Sequence, residues 1–315
     1  MKIVILDRLT LGEDLDISDA NRFGTVVSYD STSAAESEAH ISDADVVFVN
    51  KVKLGERNLK NASNLKLICE SATGYDNIDV DYCRSRGIAV CNVPGYSVYS
   101  VAQVTVSMVL SLVNHLSEYT RFTADGTYTQ GGTANILKPL YHELYGKTWG
   151  IVGYGAIGQR VGEIAKALGC NVVAFKRTPV AGVECTDIDT LVKISDVITV
   201  HIPLCEDTYH IINKERISMM KPNAVLVNTA RGAVVDEHAL CEALMQGRIA
   251  AIGTDVYSAE PFGIDSPYYA IKDYDNVCLT PHMAWGTVEA RKRCFDEMLQ
   301  NLEAFISGVK RNRID

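Results

Sequence analysis

Residues 153–158 read Gly153-Tyr154-Gly155-Ala156-Ile157-Gly158, and the run before them reads Thr148-Trp149-Gly150-Ile151-Val152. That earlier run is apolar enough for a buried strand. After the glycines, Ile157, Val161, Ile164, Ala165 and Leu168 recur at helical spacing, with Gly169 as the stop. Asn171 to Phe175 then reads as a second strand. A strand, a glycine-rich turn, a helix and a second strand in this order predict a dinucleotide site. In such a unit Gly153 permits the tight turn, Gly155 lets the backbone approach a pyrophosphate, and Gly158 lets helix pack on strand. The pyrophosphate sits at the helix N-terminus, where free N–H groups and the dipole favour an anion. The same letters alone would describe any surface turn; the flanking strand and helix give them meaning.

Downstream, short apolar runs end in residues that carry chemistry. They are Asn228-Thr229-Ala230-Arg231-Gly232, Asp255-Val256 with Glu260-Pro261, and Thr280-Pro281-His282. An Arg grips a carboxylate in a planar fork. A His exchanges a proton near neutral pH, and a neighbouring Glu favours the charged imidazole. Together Arg231, Glu260 and His282 suit hydride transfer at a 2-keto acid. Each also has a plainer reading: a surface salt bridge, a solvated turn acid, a satisfied loop imidazole. Placement just past a strand end favours the chemical one.

Composition excludes several other classes. The 315 residues carry a net charge of −9, and the longest basic cluster is the tail Lys310-Arg311-Asn312-Arg313, so no nucleic-acid footprint is expected. The 9 cysteines are odd in number and lack CxxC spacing. They read as small buried hydrophobes in a reducing, cytoplasmic setting, forming neither disulfides nor a metal site. Ile3 to Leu6 is too short for a signal peptide and reads as a strand. Gly87 to Ser117 contains no Asp, Glu, Lys or Arg, yet Pro94 and recurring Ser, Thr and Asn argue for a buried helix from about Val98 to Leu116 rather than a membrane span.

Strand-like runs alternate with helix-length segments throughout. Lys2–Leu6, Thr25–Tyr29, Asp45–Asn50, Leu65–Cys69 and Ile88–Cys91 form one series. Trp149–Val152, Asn171–Phe175, Asp196–His201, Ala224–Asn228, Ile249–Val256 and Asn276–Leu279 form a second. The alternation predicts an α/β chain of two doubly wound, Rossmann-like or flavodoxin-like parallel-sheet domains. An amphipathic helix from about Val288 to Ile306 closes the chain.

These motifs, with Ala72-Thr73-Gly74-Tyr75-Asp76-Asn77-Ile78-Asp79, resemble the D-isomer-specific 2-hydroxyacid dehydrogenases from Met1 to about Phe305. Gly146 to Ile151 and His282-Met283-Ala284-Trp285 are most similar to the glycerate dehydrogenase (hydroxypyruvate reductase) branch. The resemblance implies a substrate domain of residues 1–99 with 285–315, a dinucleotide-binding Rossmann domain of residues 100–284, and a cleft between them. It implies a catalytic set of Arg231, Glu260 and His282. Beyond the glycine turn, it gives cofactor contacts to Thr105, His201, Ile202, Pro203, Thr208, Thr229, Ala230, Asp255 and Ala284, His201 through its backbone and Asp255 through the nicotinamide amide. Lys51 and the backbone of Thr73-Gly74 join Arg231 and His282 around the substrate, with Gly95-Tyr96 as further walls. At the end of the second strand the family usually has an acid that binds the ribose 2′-OH; this chain has Lys176-Arg177-Thr178. That departure tilts the expected cofactor from NAD(H) to NADP(H). The expected substrate is hydroxypyruvate or glyoxylate. Phosphoglycerate or lactate, and a non-catalytic nucleotide-sensing co-repressor, are the alternatives. A homodimer through the cofactor domains is expected, with Val98–Leu116 contributing.

Overall fold

A computed structural model describes residues 1–178 and 180–315. Twelve strands run in chain order: β1 Lys2–Ile5, β2 Thr25–Ser28, β3 Val46–Val49, β4 Leu67–Glu70, β5 Ala89–Cys91, β6 Thr148–Val152, β7 Asn171–Phe175, β8 Glu184–Cys185, β9 Val197–Val200, β10 Val225–Asn228, β11 Ala251–Thr254 and β12 Val277–Leu279. The chain divides into two compact units, Met1–Ser97 with Trp285–Asp315, and Val98–Ala284.

In the first unit the sheet order is β2-β1-β3-β4-β5, all parallel. Strands such as Val-Val-Phe-Val in β3 are buried at every position, as a sheet covered on both faces requires. One face packs Ile3, Ile5, Phe48, Leu67 and Cys69 against Phe295, Met298 and Leu302 of the terminal helix Val288–Ile306. The other face buries Val4, Val47, Val49, Ile68 and Val90 beneath Ile41, Leu59 and Cys83.

The second unit carries β12-β11-β10-β9-β6-β7-β8, again all parallel. The order reverses between β6 and β9, and ligands of such sheets bind at the carboxyl ends beside that reversal. Trp149, Ile151, Val172 and Val197 face the helices Val98–Val113 and Ala156–Ala167, while Ile198, Val200, Leu226 and Ile252 face the opposite layer.

Three details differ from the sequence expectation. The helix expected from Val98 to Leu116 stops at Val113, because His115 takes a left-handed backbone at φ 50 and a second helix, Leu116–Ala124, starts at a 64° bend. Its apolar residues Ala102, Val106, Met108, Val109 and Leu112 are engaged in the core of their own unit. Leu168, expected on the apolar face of the next helix, is instead its half-exposed cap residue. The two-residue β8 is too short to leave a periodic signal. Among the described residues no single helix is long and apolar enough to cross a membrane.

Candidate active site

β6 delivers the glycine turn to the middle of the second sheet. Gly153 sits at φ 98, and a Cβ there would lie 2.6 Å from the carbonyl oxygen of His201, so only glycine lets the turn lie against the chain leaving β9. Gly155 caps the helix Ala156–Ala167 and faces open space, while Ile157 and buried Gly158 follow in its first turn. Tyr154 is buried, and burial raises its phenol above the usual range.

Most of the other expected cofactor residues also stand at carboxyl ends of this sheet, while Thr105 reaches them from the helix Val98–Val113. β7 ends at Phe175, and half-buried Lys176 with exposed Arg177 and Thr178 follow it. His201-Ile202-Pro203 follow β9, and the Thr208 hydroxyl ties that loop by donating to Pro203 O at 2.6 Å and accepting from Cys205 N at 2.8 Å. Thr229 and Ala230 follow β10, and Thr105 places its hydroxyl 2.9 Å from that of Thr229. The turn, the helix N-terminus and this row of polar strand ends fit a dinucleotide.

The catalytic candidates lie on the neighbouring loops of the same unit. Asn228, the last residue of β10, accepts from Ala230 N at 3.0 Å and donates from Nδ2 to Arg231 O at 2.9 Å, so its side chain shapes the loop that presents Arg231. Arg231 also donates to Ala230 O at 2.8 Å. A Cβ on the next residue, Gly232, would lie 2.1 Å from the carbonyl carbon of Tyr257. The Arg231 loop therefore lies directly on the loop that leads to Glu260. Glu260 accepts from Tyr257 N at 3.0 Å through Oε1, while Oε2 lies 2.6 Å from Nδ1 of His282. The two side chains are 30% and 24% exposed, open enough for a substrate to reach and sheltered enough for the pair to hold.

Asp255 organises the stretch around His282. Its Oδ1 accepts from the Thr280 hydroxyl at 2.6 Å and from Met283 N at 2.8 Å, and its Oδ2 accepts from Ala284 N at 2.8 Å. Burial raises the Asp255 carboxyl above its ordinary range, against the lowering by these bonds. Tyr257 adds a second tie by donating from its hydroxyl to Thr280 O at 2.9 Å. Held from both sides, His282 adopts a left-handed backbone at φ 52, a conformation that costs a non-glycine residue on the order of 1–3 kcal/mol. The sequence expectation gave Asp255 a contact with the nicotinamide amide; the anchoring of the His282 loop is a further role that motif position alone did not reveal.

In the first unit, Lys51 and Thr73-Gly74 follow β3 and β4. Buried Asp7 accepts from the backbone N–H groups of Asn50, Lys51 and Val52 at 3.1, 2.6 and 3.3 Å and so shapes the Lys51 loop. Thr73 donates its hydroxyl to Val93 O at 2.8 Å, and Asn92 donates to Thr73 O at 2.8 Å. Asn77 bridges the two loops by donating to Glu70 Oε2 at 2.9 Å and Val52 O at 3.2 Å. Burial pushes the Glu70 carboxyl well up.

The chain as a whole is similar to known proteins. Residues 106–284 match the model of the D-isomer specific 2-hydroxyacid dehydrogenase NAD binding domain. The chain is 36% identical to a hydroxypyruvate reductase of Blautia hydrogenotrophica over all of both chains. It is 35% identical to a glycerate dehydrogenase of Methylorubrum extorquens, over 100% of this chain and 99% of the other. Among solved structures, an acyclic imino acid reductase in complex with NADPH and D-Arg superposes with a TM-score of 0.89 at 31% identity, covering all of both chains. With the family model matching more than half of the chain and relatives above 30% identity spanning all of it, the chain belongs to the D-isomer-specific 2-hydroxyacid dehydrogenases, oxidoreductases of the CH–OH group that use a nicotinamide cofactor.

Proposed function

We propose that this enzyme reduces hydroxypyruvate to D-glycerate, with glyoxylate as a smaller substrate, and that it prefers NADP(H) to NAD(H). The observation that carries the reaction is the 2.6 Å contact between Glu260 and Nδ1 of His282, on loops packed against that of Arg231. Pairing at Nδ1 leaves Nε2 as the nitrogen that exchanges a proton with the substrate oxygen. Arg231 holds the substrate's carboxylate and polarises its keto group through its planar fork. Glu260 orients the imidazole through its contact with Nδ1. When bound, the nicotinamide supplies or takes the hydride at C2. The choice of hydroxypyruvate leans on the full-length relatives with that activity in their names. The cofactor preference leans on Lys176, Arg177 and Thr178, which follow β7 where an acid would otherwise repel a 2′-phosphate.

Loss of NAD(P)H absorbance on adding a panel of 2-keto acids tests the reaction. Higher kcat/KM for branched or aromatic keto acids than for hydroxypyruvate rejects the substrate. Arg177→Ala should lower kcat/KM for NADPH selectively, and a clear NADH preference in the unmodified enzyme rejects the phosphate site. The working assembly is a homodimer. Exposed Leu116, Tyr128, Leu137, Leu140, Tyr141 and Tyr145 offer a run of apolar surface suited to a second copy. Light scattering that finds monomer alone at micromolar concentration rejects it.

A further inference from the structure

His201 has a ring nitrogen whose protonation the surrounding hydroxyls determine. The Thr105 hydroxyl lies 2.8 Å from Val101 O and 2.9 Å from the Thr229 hydroxyl. A carbonyl oxygen only accepts, so the single Thr105 proton goes to Val101 O. Toward Thr229, Thr105 is then the acceptor and Thr229 the donor. Thr229 Oγ1 also stands 3.5 Å from Nδ1 of His201. Its proton is already used, so there it accepts, and Nδ1 must carry the imidazole proton. Burial pushes His201 down to about 3, so the ring is neutral and holds one proton only. Nε2 is therefore a bare acceptor, and it is enclosed without a partner in the protein. A buried acceptor in that state lacks the donor it lost on leaving water.

The position of the ring indicates where a donor comes from. His201 follows β9, and its carbonyl oxygen abuts Gly153 of the glycine turn. β7, with Lys176 beyond it, lies on the other side of β6, so the adenine half of a dinucleotide runs that way and the nicotinamide half runs over β9 and β10. Next to the pyrophosphate, the first hydrogen-bond donors on that half are its ribose hydroxyls. We infer that Nε2 of His201 accepts a hydrogen bond from a hydroxyl of the nicotinamide-side ribose, and that the Thr105–Thr229 pair fixes the tautomer that makes it an acceptor. This rests on the nicotinamide reading of the site and adds a side-chain role to a residue expected to act through its backbone.

Titrations with NADH and with ADP, which lacks the nicotinamide half, test it by calorimetry. Failure of the wild type to bind either NADH or NADPH would overturn the nicotinamide reading itself and this inference with it. With wild-type binding in hand, His201→Leu should weaken NADH by about tenfold and leave ADP unchanged, the loss expected for one buried hydrogen bond. His201→Gln, whose amide oxygen reaches toward the Nε2 position, should recover most of that affinity. Thr229→Val, which frees the ring to change tautomer, should weaken NADH by about threefold. Nitrogen-15 NMR should show Nδ1 protonated and Nε2 unprotonated in the free protein, with Nε2 shifting when NADH binds. An Nε2-protonated ring, or equal losses for NADH and ADP in His201→Leu, overturns the inference.

Discussion

His282 combines a left-handed backbone with a carboxylate 2.6 Å from Nδ1. Acid–base catalysis contributes ~10²–10⁴ in rate, so His282→Ala should lower kcat by that order while the Kd for NADH stays near wild type; near-normal turnover would reject the mechanism. Glu260→Gln removes the carboxylate that holds Nδ1 in place, so kcat should fall while the Kd for NADH stays near wild type. An unchanged kcat would leave Glu260 a structural residue. His201 makes a separate prediction for stability. Its folded state titrates at about 3, below the ordinary value of 6.5, so the unfolded chain binds one more proton between those limits. This contribution is fully present above pH 6.5 and is lost as pH falls toward 3, at up to about 1.4 kcal/mol per pH unit. Urea melts at pH 7 and pH 5 should therefore diverge more for wild type than for His201→Gln; equal slopes would mean the imidazole is solvated. At this scale the placement of Arg231, Glu260 and His282 on loops beyond strand ends was legible in the apolar runs that precede them. The roles of Asp255 and His201 were not, since their partners stand 28 and 29 residues away in the one case and 28 in the other, a separation no local pattern encodes.

Loops and strands fix how far those residues can stray. Every strand of the two expected series exists; the central ones, buried on both faces, keep an apolar signal along their whole length. The helix break at His115 was not legible: no proline or glycine marks it, and the left-handed residue is a histidine. The seating of one loop on another was equally hidden in the letters Arg231-Gly232. A methyl group at Gly232 meets the Tyr257 backbone, which has no way to rotate aside as a side chain would. Gly232→Ala should destabilise the protein by about 1–3 kcal/mol and lower kcat/KM by separating the Arg231 loop from the Glu260 loop. NADH affinity should change much less, since the glycine turn after β6 is untouched. Wild-type kcat/KM in that variant would show that the two loops move independently.

The whole molecule is threaded in an order that spatial description conceals. The first unit is built from residues 1–97 and 285–315, with all of the second unit lying between them in sequence. Phe295, Met298 and Leu302, which cover one face of the first sheet, are made only after all of residues 98–284. During synthesis Ile3, Ile5, Phe48 and Leu67 therefore wait beside water, while residues 98–284 already hold every strand of their own sheet. The unit begun first is thus completed only after the second has been made, an interval in which its apolar surface is open to misassembly. A chain ended at Ala284 should reproduce that interval: it should bind a hydrophobic dye and lose the first unit to protease before the second. Equal protease resistance of both units in that shortened chain would mean that the first sheet closes without its final helix, and that the order of synthesis imposes no vulnerable stage.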